Sequence, residues 1–223
     1  MPITAFWQGF SHILMPNLCC GCDRALYGYE EILCTDCIYH LPLTDFHLDK
    51  NNESAQQLLG KLDFLFASSM LYLSKSSRVE KLLHRLKFKG FPQIGEYFGY
   101  QYGMQLARIA EDIPFDFIIP IPIHRSKLKK RGYNQAACFA VGLAKGLGTP
   151  VLVDVLLRTV ASASQTTKSR VERYDNVEKV FSLSANHILV VDDVLTTGAT
   201  ICAAGNLLKD IGAQISVATL ARA

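Results

Sequence analysis

The run Val190-Val191-Asp192-Asp193-Val194-Leu195-Thr196-Thr197-Gly198-Ala199-Thr200 joins residue types suited to two chemical groups at once. Residues 187–191 form a continuous apolar stretch that reads as a buried strand, and it ends in two adjacent carboxylates. A Thr-Thr-Gly turn follows, and then a helix begins. Carboxylates accept hydrogen bonds from vicinal hydroxyls and repel phosphate, so Asp192 and Asp193 suit a diol. The helix N-terminus offers unpaired N–H groups and partial positive charge, which suit a phosphate. Gly198 lets the backbone approach closely, and the hydroxyls of Thr196, Thr197 and Thr200 add donors. A diol site beside a phosphate site describes a ribose 5-phosphate. The competing reading is a plain strand–turn–helix with a capping threonine, which gives the adjacent acids nothing to bind.

A second constellation lies near the N-terminus. The chain has seven cysteines, and Cys19-x-x-Cys22 and Cys34-x-x-Cys37 are separated by eleven residues. Two such pairs make a tetrahedral thiolate site for zinc, closed and therefore structural. Cys20 competes with Cys19 as the ligand, and the two-residue spacing favours Cys19; free or redox cysteines are the alternative. Cys138 and Cys202 fall among apolar residues and read as core.

Net charge is only +3, but cations crowd two stretches: Arg125, Lys127, Lys129, Lys130 and Arg131, and Arg78, Lys81, Arg85, Lys87 and Lys89. Such clusters suit phosphates, on a small anion or on nucleic acid, or form a solvated face.

The elements that must position these groups follow from periodicity. Residues 64–73 read as a strand, 79–86 as a helix stopped by Gly90 and Pro92, and 93–110 as a second helix. Residues 115–123 read as a buried strand and 125–131 as a basic loop beyond its end. A helix over 134–147 is closed by Gly148, 151–157 read as a strand, 161–180 are a polar, charged stretch, and the segment 158–176 suits a lid or a plain surface excursion. A helix over 200–211 and a strand over 215–220 complete the chain. Strands alternating with helices predict an α/β fold, a mostly parallel sheet flanked by helices. A polar stretch near residue 47 suggests residues 1–45 as an amphipathic segment (Phe6, Trp7, Phe10, Ile13, Leu14) with the zinc knuckle, and 46–223 as the α/β domain. With 49% hydrophobic and 19% charged residues the chain reads as globular. Its apolar runs are too short to span a bilayer, and the first sixteen residues hold no Lys or Arg, so a cytoplasmic protein without a transmembrane segment is expected.

The run at 190–200 resembles the phosphoribosyl pyrophosphate (PRPP) signature of type I phosphoribosyltransferases. That resemblance implies that Asp192 and Asp193 bind the ribose hydroxyls and that Leu195, Thr196, Thr197, Gly198, Ala199 and Thr200 cradle the 5-phosphate. It also implies a loop, with Lys168 and Arg170 among its cations, that closes over the reaction centre beside the catalytic acids. His124, Arg125, Lys127 and Arg131 would meet the pyrophosphate, with magnesium bridging diphosphate and ribose oxygens. More narrowly, the chain resembles the ComF family of competence-associated proteins. The resemblance rests on both cysteine pairs, Leu86-Lys87-Phe88-Lys89-Gly90, Pro120-Ile121-Pro122, Arg131-Gly132-Tyr133-Asn134-Gln135, and Gln165-Thr166 with Arg170, Arg173 and Asn176. It implies a transferase of unspecified acceptor linked to DNA uptake. The competing class is a non-catalytic PRPP sensor that holds single-stranded DNA on its basic segments, with Phe88, Phe91 and Tyr133 stacking on bases or packing in the core. Too few residues precede the α/β domain for a glutaminase, so ammonia from glutamine is not expected.

Overall fold

A computed structural model describes residues 16–75, 77–153, 155–156 and 187–223. Four strands, β1 (Phe66–Tyr72), β2 (Phe117–Pro120), β3 (His187–Leu195) and β4 (Gln214–Arg222), form one sheet in the order β1-β4-β3-β2. Every pairing is parallel. The helices are α1 (Thr35–Tyr39), α2 (Glu53–Leu58), α3 (Arg78–Phe88), α4 (Gln93–Asp112), α5 (Arg125–Arg131), α6 (Gln135–Leu147) and α7 (Ala199–Lys209). Along β3 the side chains alternate between two cores: Leu189 and Val191 join α3, α4 and α6, whereas Ile188 and Val190 join α2 and α7. A strand buried on both faces is continuous in its hydrophobicity, which is why β3 was legible as one apolar run.

Local signals set the helix ends. Ser77 Oγ accepts the Glu80 N–H at 3.1 Å to start α3, and Asn134 Oδ1 accepts the Ala136 N–H at 3.1 Å to start α6. α6 ends at Gly148, whose φ of 73° suits the left-handed cap. Helices α4 and α6 then lie backbone against backbone. A Cβ on Gly99 would collide with the Phe139 carbonyl oxygen, and one on Gly142 with that of Glu96, so side chains are excluded from the crossing.

Three expectations need correction. Residues 151–157 do not continue as a strand among the described residues. Val151 makes a single bridge to Ile118, after which Val155 and Leu156 bend into the core beside α2 and α7. The basic stretch 125–131 is a helix rather than a loop. His124 Nδ1 accepts the Ser126 N–H at 3.2 Å, and Gly132 (φ 87°) terminates the helix. Its only apolar residue, Leu128, is 43% exposed, so no apolar periodicity announced it. The expected strand 115–123 is regular only at 117–120, since Pro120 and Pro122 have no N–H to give the ladder.

The cysteine segment packs on the sheet side of the molecule that carries α3. Cys19, Leu26, Leu33 and Cys37 share one core with Val79, Leu82, Leu83 and Leu86. The chain following it covers the free edge of β1, where Tyr72 N–H donates to Pro42 O at 2.9 Å and Thr44 N–H to Met70 O at 3.1 Å. The amphipathic N-terminal stripe and the expected lid, with Lys168 and Arg170, lie outside the described residues.

Candidate functional site

β3 runs past its acidic pair: Asp192 lies opposite Thr219 of β4, and pairing continues to Leu195. The Asp193 N–H donates to Asp192 Oδ1 at 2.8 Å, so the first carboxylate is fixed by the backbone of the second. Burial, reinforced by the charge of Asp193, pushes the Asp192 carboxyl up to about 7. Asp193 faces a cation instead. Lys87 Nζ of α3 sits 2.9 Å from Asp193 Oδ2, with only 28% and 14% of the two side chains exposed. The turn then presents Thr196, Thr197, Ala199 and Thr200 to solvent at the head of α7, while Leu195 is buried beneath it. Gly198 caps α7 at φ 77°, and a Cβ there would meet Leu58 of α2 at 2.7 Å. The sequence-based expectation of a diol site beside a phosphate cradle thus has its residues brought together at one strand end, the position where open α/β sheets bind ligands.

The cations divide in a way their spacing did not show. Lys127, Lys130 and Arg131 fall on one face of α5 at helical spacing. With Lys87, Phe88, Lys89 and Gly90 of the α3 end they line a cavity of about 630 Å³. His124 and Arg125 are not part of that lining; His124 Nδ1 is engaged with Ser126 Oγ at 2.6 Å. Arg131 lays its guanidinium 5.4 Å from the centroid of Phe88. Tyr133 donates to Leu86 O at 2.6 Å and Asn134 Nδ2 to Ile121 O at 2.9 Å, which explains the Arg-Gly-Tyr-Asn stretch as the joint between α3, β2 and α6. Lys87 is the residue that sequence reasoning missed. It was counted with a basic helix face, although the Leu86-Lys87-Phe88-Lys89-Gly90 motif marked it.

The sulfur atoms of Cys19, Cys22, Cys34 and Cys37 all lie within 4.8 Å of one another, with Cys22 and Cys34 at 3.6 Å. With metal–sulfur bonds of about 2.3 Å, a tetrahedral zinc site needs sulfurs about 3.8 Å apart, so this donor set fits. Cys20 lies outside the group, which decides between it and Cys19. N–H groups of Gly21 (3.4 Å) and Cys34 (3.3 Å) point at Cys19 Sγ. Burial pushes that thiol up, but these N–H groups and that of Cys22 prevail and hold it at about 7. A Cβ on Gly21 would come within 2.9 Å of Cys37 Sγ, so only glycine leaves room for the sulfur cluster. The knuckle is tied to α3 by charge as well. Asp23 pairs with Lys81 at 2.5 Å and with Arg85, and Asp36 with Arg78 at 3.3 Å.

Residues 134–223, the part of the chain from α6 to β4, match the family described as phosphoribosyl transferase domain. Competence protein F of Haemophilus influenzae is 34% identical over 114 residues, 48% of this chain and 50% of that protein. DNA utilization protein YhgH of Escherichia coli O157:H7 is 27% identical over 209 residues, 88% of this chain and 86% of that protein. Competence protein ComFC of Bacillus subtilis is 28% identical over 146 residues, 63% of this chain and 58% of that protein. By these matches the chain is similar to ComF-family proteins, and its C-terminal part matches a phosphoribosyl transferase domain. The match of the family model begins at Asn134, so it takes in the acidic pair and the threonine turn but stops short of Lys87 and α5. Those belong to the part that this chain shares with YhgH, whose match covers 88% of it. No helix among its described residues is long and apolar enough to cross a membrane.

Proposed function

We propose that the protein binds PRPP and magnesium at the end of β3 and transfers the phosphoribosyl group to an acceptor. The observation that carries this reading is the half-buried Asp192–Asp193 pair set directly before the exposed threonine turn of α7. On this reading Asp192 and Asp193 hold the ribose hydroxyls, while Thr196, Thr197, Gly198, Ala199 and Thr200 hold the 5-phosphate. The bond from C1 to the diphosphate oxygen breaks with its electron pair leaving on pyrophosphate, and a bond from the acceptor to C1 forms. His124, Arg125, Lys127 and Arg131 meet the departing charge. Bound magnesium supplies further neutralisation at the diphosphate. Lys168 and Arg170 act from the segment before β3.

The names of the relatives, competence and DNA utilization proteins, support a role in the handling of DNA taken up by the cell. Direct binding of single-stranded DNA finds less support, because four of the five α3 cations meet internal acids. Tyr133 is also committed to Leu86, and Phe91 packs against the core.

Calorimetric titration of PRPP with magnesium into the wild type and an Asp192→Asn/Asp193→Asn variant tests the reading. Saturable binding lost in the variant, followed by pyrophosphate release with a suitable acceptor, supports it. A folded, zinc-loaded wild type that takes up no PRPP would refute it.

A further inference from the structure

The cavity between the C-terminal end of α3 and α5 has a composition that the proposed PRPP site does not use up. Five of its seven described lining residues are cations, Lys87, Lys89, Lys127, Lys130 and Arg131, and none of the seven is acidic. Among the described residues only Lys87 has an acidic partner, Asp193. The remaining four face a shared space with no carboxylate to offset them, so the cavity is built for an anion. It is also larger than a phosphate or diphosphate needs. About 630 Å³ falls in the ~300–1,000 Å³ range of sites for small organic ligands.

The one uncharged side chain in the described lining is aromatic. Phe88 is 65% exposed, an unusual position for phenylalanine, and Arg131 lies over its ring. A ring and a guanidinium plane together form the sort of platform on which a planar base stacks. Along α3 the unpaired positive charge does not continue beyond the cavity among the described residues. On α3, Arg78, Lys81 and Arg85 are held by Asp36 and Asp23 of the knuckle. One platform and one bounded cluster of cations fit a single nucleotide better than a strand.

We propose that this cavity is a binding site for a phosphorylated nucleoside, with the base against Phe88 and the phosphate between Lys89 and Lys130, the cavity cations that the pyrophosphate reading leaves free. Lys87, which lines the cavity and also holds Asp193, places such a ligand beside the ribose acids. Its role there as the acceptor rests on the transfer reaction proposed above; its binding does not.

The test uses the zinc-loaded full chain. Adenosine 5′-monophosphate, thymidine 5′-monophosphate, inorganic pyrophosphate and a short oligothymidylate are each titrated into wild type, Phe88→Ala and Lys130→Gln, with PRPP–magnesium titrated in parallel. The expected result is mononucleotide binding weakened about fivefold or more by Phe88→Ala, as loss of one stacked base predicts. Lys130→Gln weakens it too, pyrophosphate is indifferent to Phe88, and both variants keep wild-type melting temperatures. Mononucleotides that bind no better than pyrophosphate, or that ignore Phe88→Ala, would reduce the cavity to a diphosphate subsite and overturn the proposal. Tight binding of the oligothymidylate alone would overturn it in favour of a strand-binding surface. Mononucleotide binding by a protein that takes up no PRPP would leave this site standing while the transferase reading falls.

Discussion

Helix α3 with its C-cap Lys89, and helix α5, each carry five Lys and Arg residues in a short stretch, and in sequence the two stretches look alike. The structure sets them apart. On α3, Arg78, Lys81 and Arg85 meet Asp36 and Asp23 of the cysteine knuckle, Lys87 meets Asp193, and Lys89 alone lacks an acidic partner among the described residues. On α5 and its flanks, Arg125, Lys127, Lys129, Lys130 and Arg131 have no acidic partner among the described residues, and Arg131 turns to the Phe88 ring. The first set ties the knuckle and the acidic end of β3 to one helix; the second meets no acid among the described residues. Local density of positive charge therefore says little about use until the acids it meets are known.

The largest effect that could break this comparison comes from removing metal from the knuckle. If the four thiols hold zinc, its binding contributes on the order of 10 kcal/mol to folding of that segment. A strong chelator, or Cys34→Ser, is expected to abolish one equivalent of bound zinc and lower the melting temperature by more than about 10 °C. Hydrogen exchange should then quicken in α3, which shares a core with Leu26, Leu33 and Cys37, and stay unchanged in α5. Protection of α3 that survives chelation would show that the knuckle rests on the helix without supporting it.

Next in size is Arg85→Ala. Arg85 is 17% exposed, donates to Cys19 O at 3.2 Å, pairs with Asp23 and lies 5.8 Å from the Phe91 centroid. Losing hydrogen bonds to a charged group of this kind destabilises by about 2 kcal/mol, or ~4–8 °C in a chain this long. Removing an unpaired α5 cation should leave the melting temperature within about 2 °C. Equal losses in thermal denaturation at the two positions would erase the distinction between the helices.

Much of this architecture was legible beforehand, and the exceptions have physical causes. β3, α3, α4 and α6 announced themselves because each buries a continuous run or a regular apolar face. The knuckle was legible because four thiolates at fixed spacing have few other uses. α5 was hidden because a helix with one half-exposed leucine has no apolar period to read. Residues 151–157 misled because a short apolar run buries equally well as a strand or as a bend into the core. Lys87 was hidden for a different reason. Its meeting with Asp193 spans more than a hundred residues of chain, and only the order of strands in the sheet brings α3 beside the end of β3.

Lys87 also offers a smaller test, through pH. The Asp192 carboxyl, pushed up to about 7 by burial and by Asp193, holds a proton in the folded protein that it lacks when unfolded between about pH 4 and 7. The native state therefore binds more protons in that window, and stability falls as pH rises through it. Asp192→Asn should flatten this slope and raise the melting temperature at pH 8 by a few degrees. Because the charge of Lys87 lowers the Asp192 value, Lys87→Met should carry the decline to higher pH. A slope unaffected by both substitutions would mean that another group titrates there. In ligand binding the sign reverses: a ribose diol needs acceptors, so PRPP affinity should increase as pH rises through about 7, with a proton released on binding.

The smallest effects come from α5 itself, and there two neighbouring residues make the finest distinction. Lys130 lines the cavity against Phe88 and Lys129 does not. Adjacent residues of a helix project about 100° apart, so one amide bond separates a cation turned to the cavity from one turned away. Neither has an acidic partner among the described residues, so Lys129→Gln and Lys130→Gln should each stay within about 0.5 kcal/mol of wild-type stability by denaturant titration. They should differ in anion binding. Lys130→Gln is expected to weaken adenosine 5′-monophosphate several-fold at low salt, whereas Lys129→Gln acts only through the general field and fades once the Debye length drops to about 10 Å at 0.1 M salt. If the two variants lose affinity equally and both losses vanish with salt, α5 is a diffuse basic surface like any other. A loss at Lys130 alone that persists in salt marks a contact, and fixes which face of α5 the ligand meets.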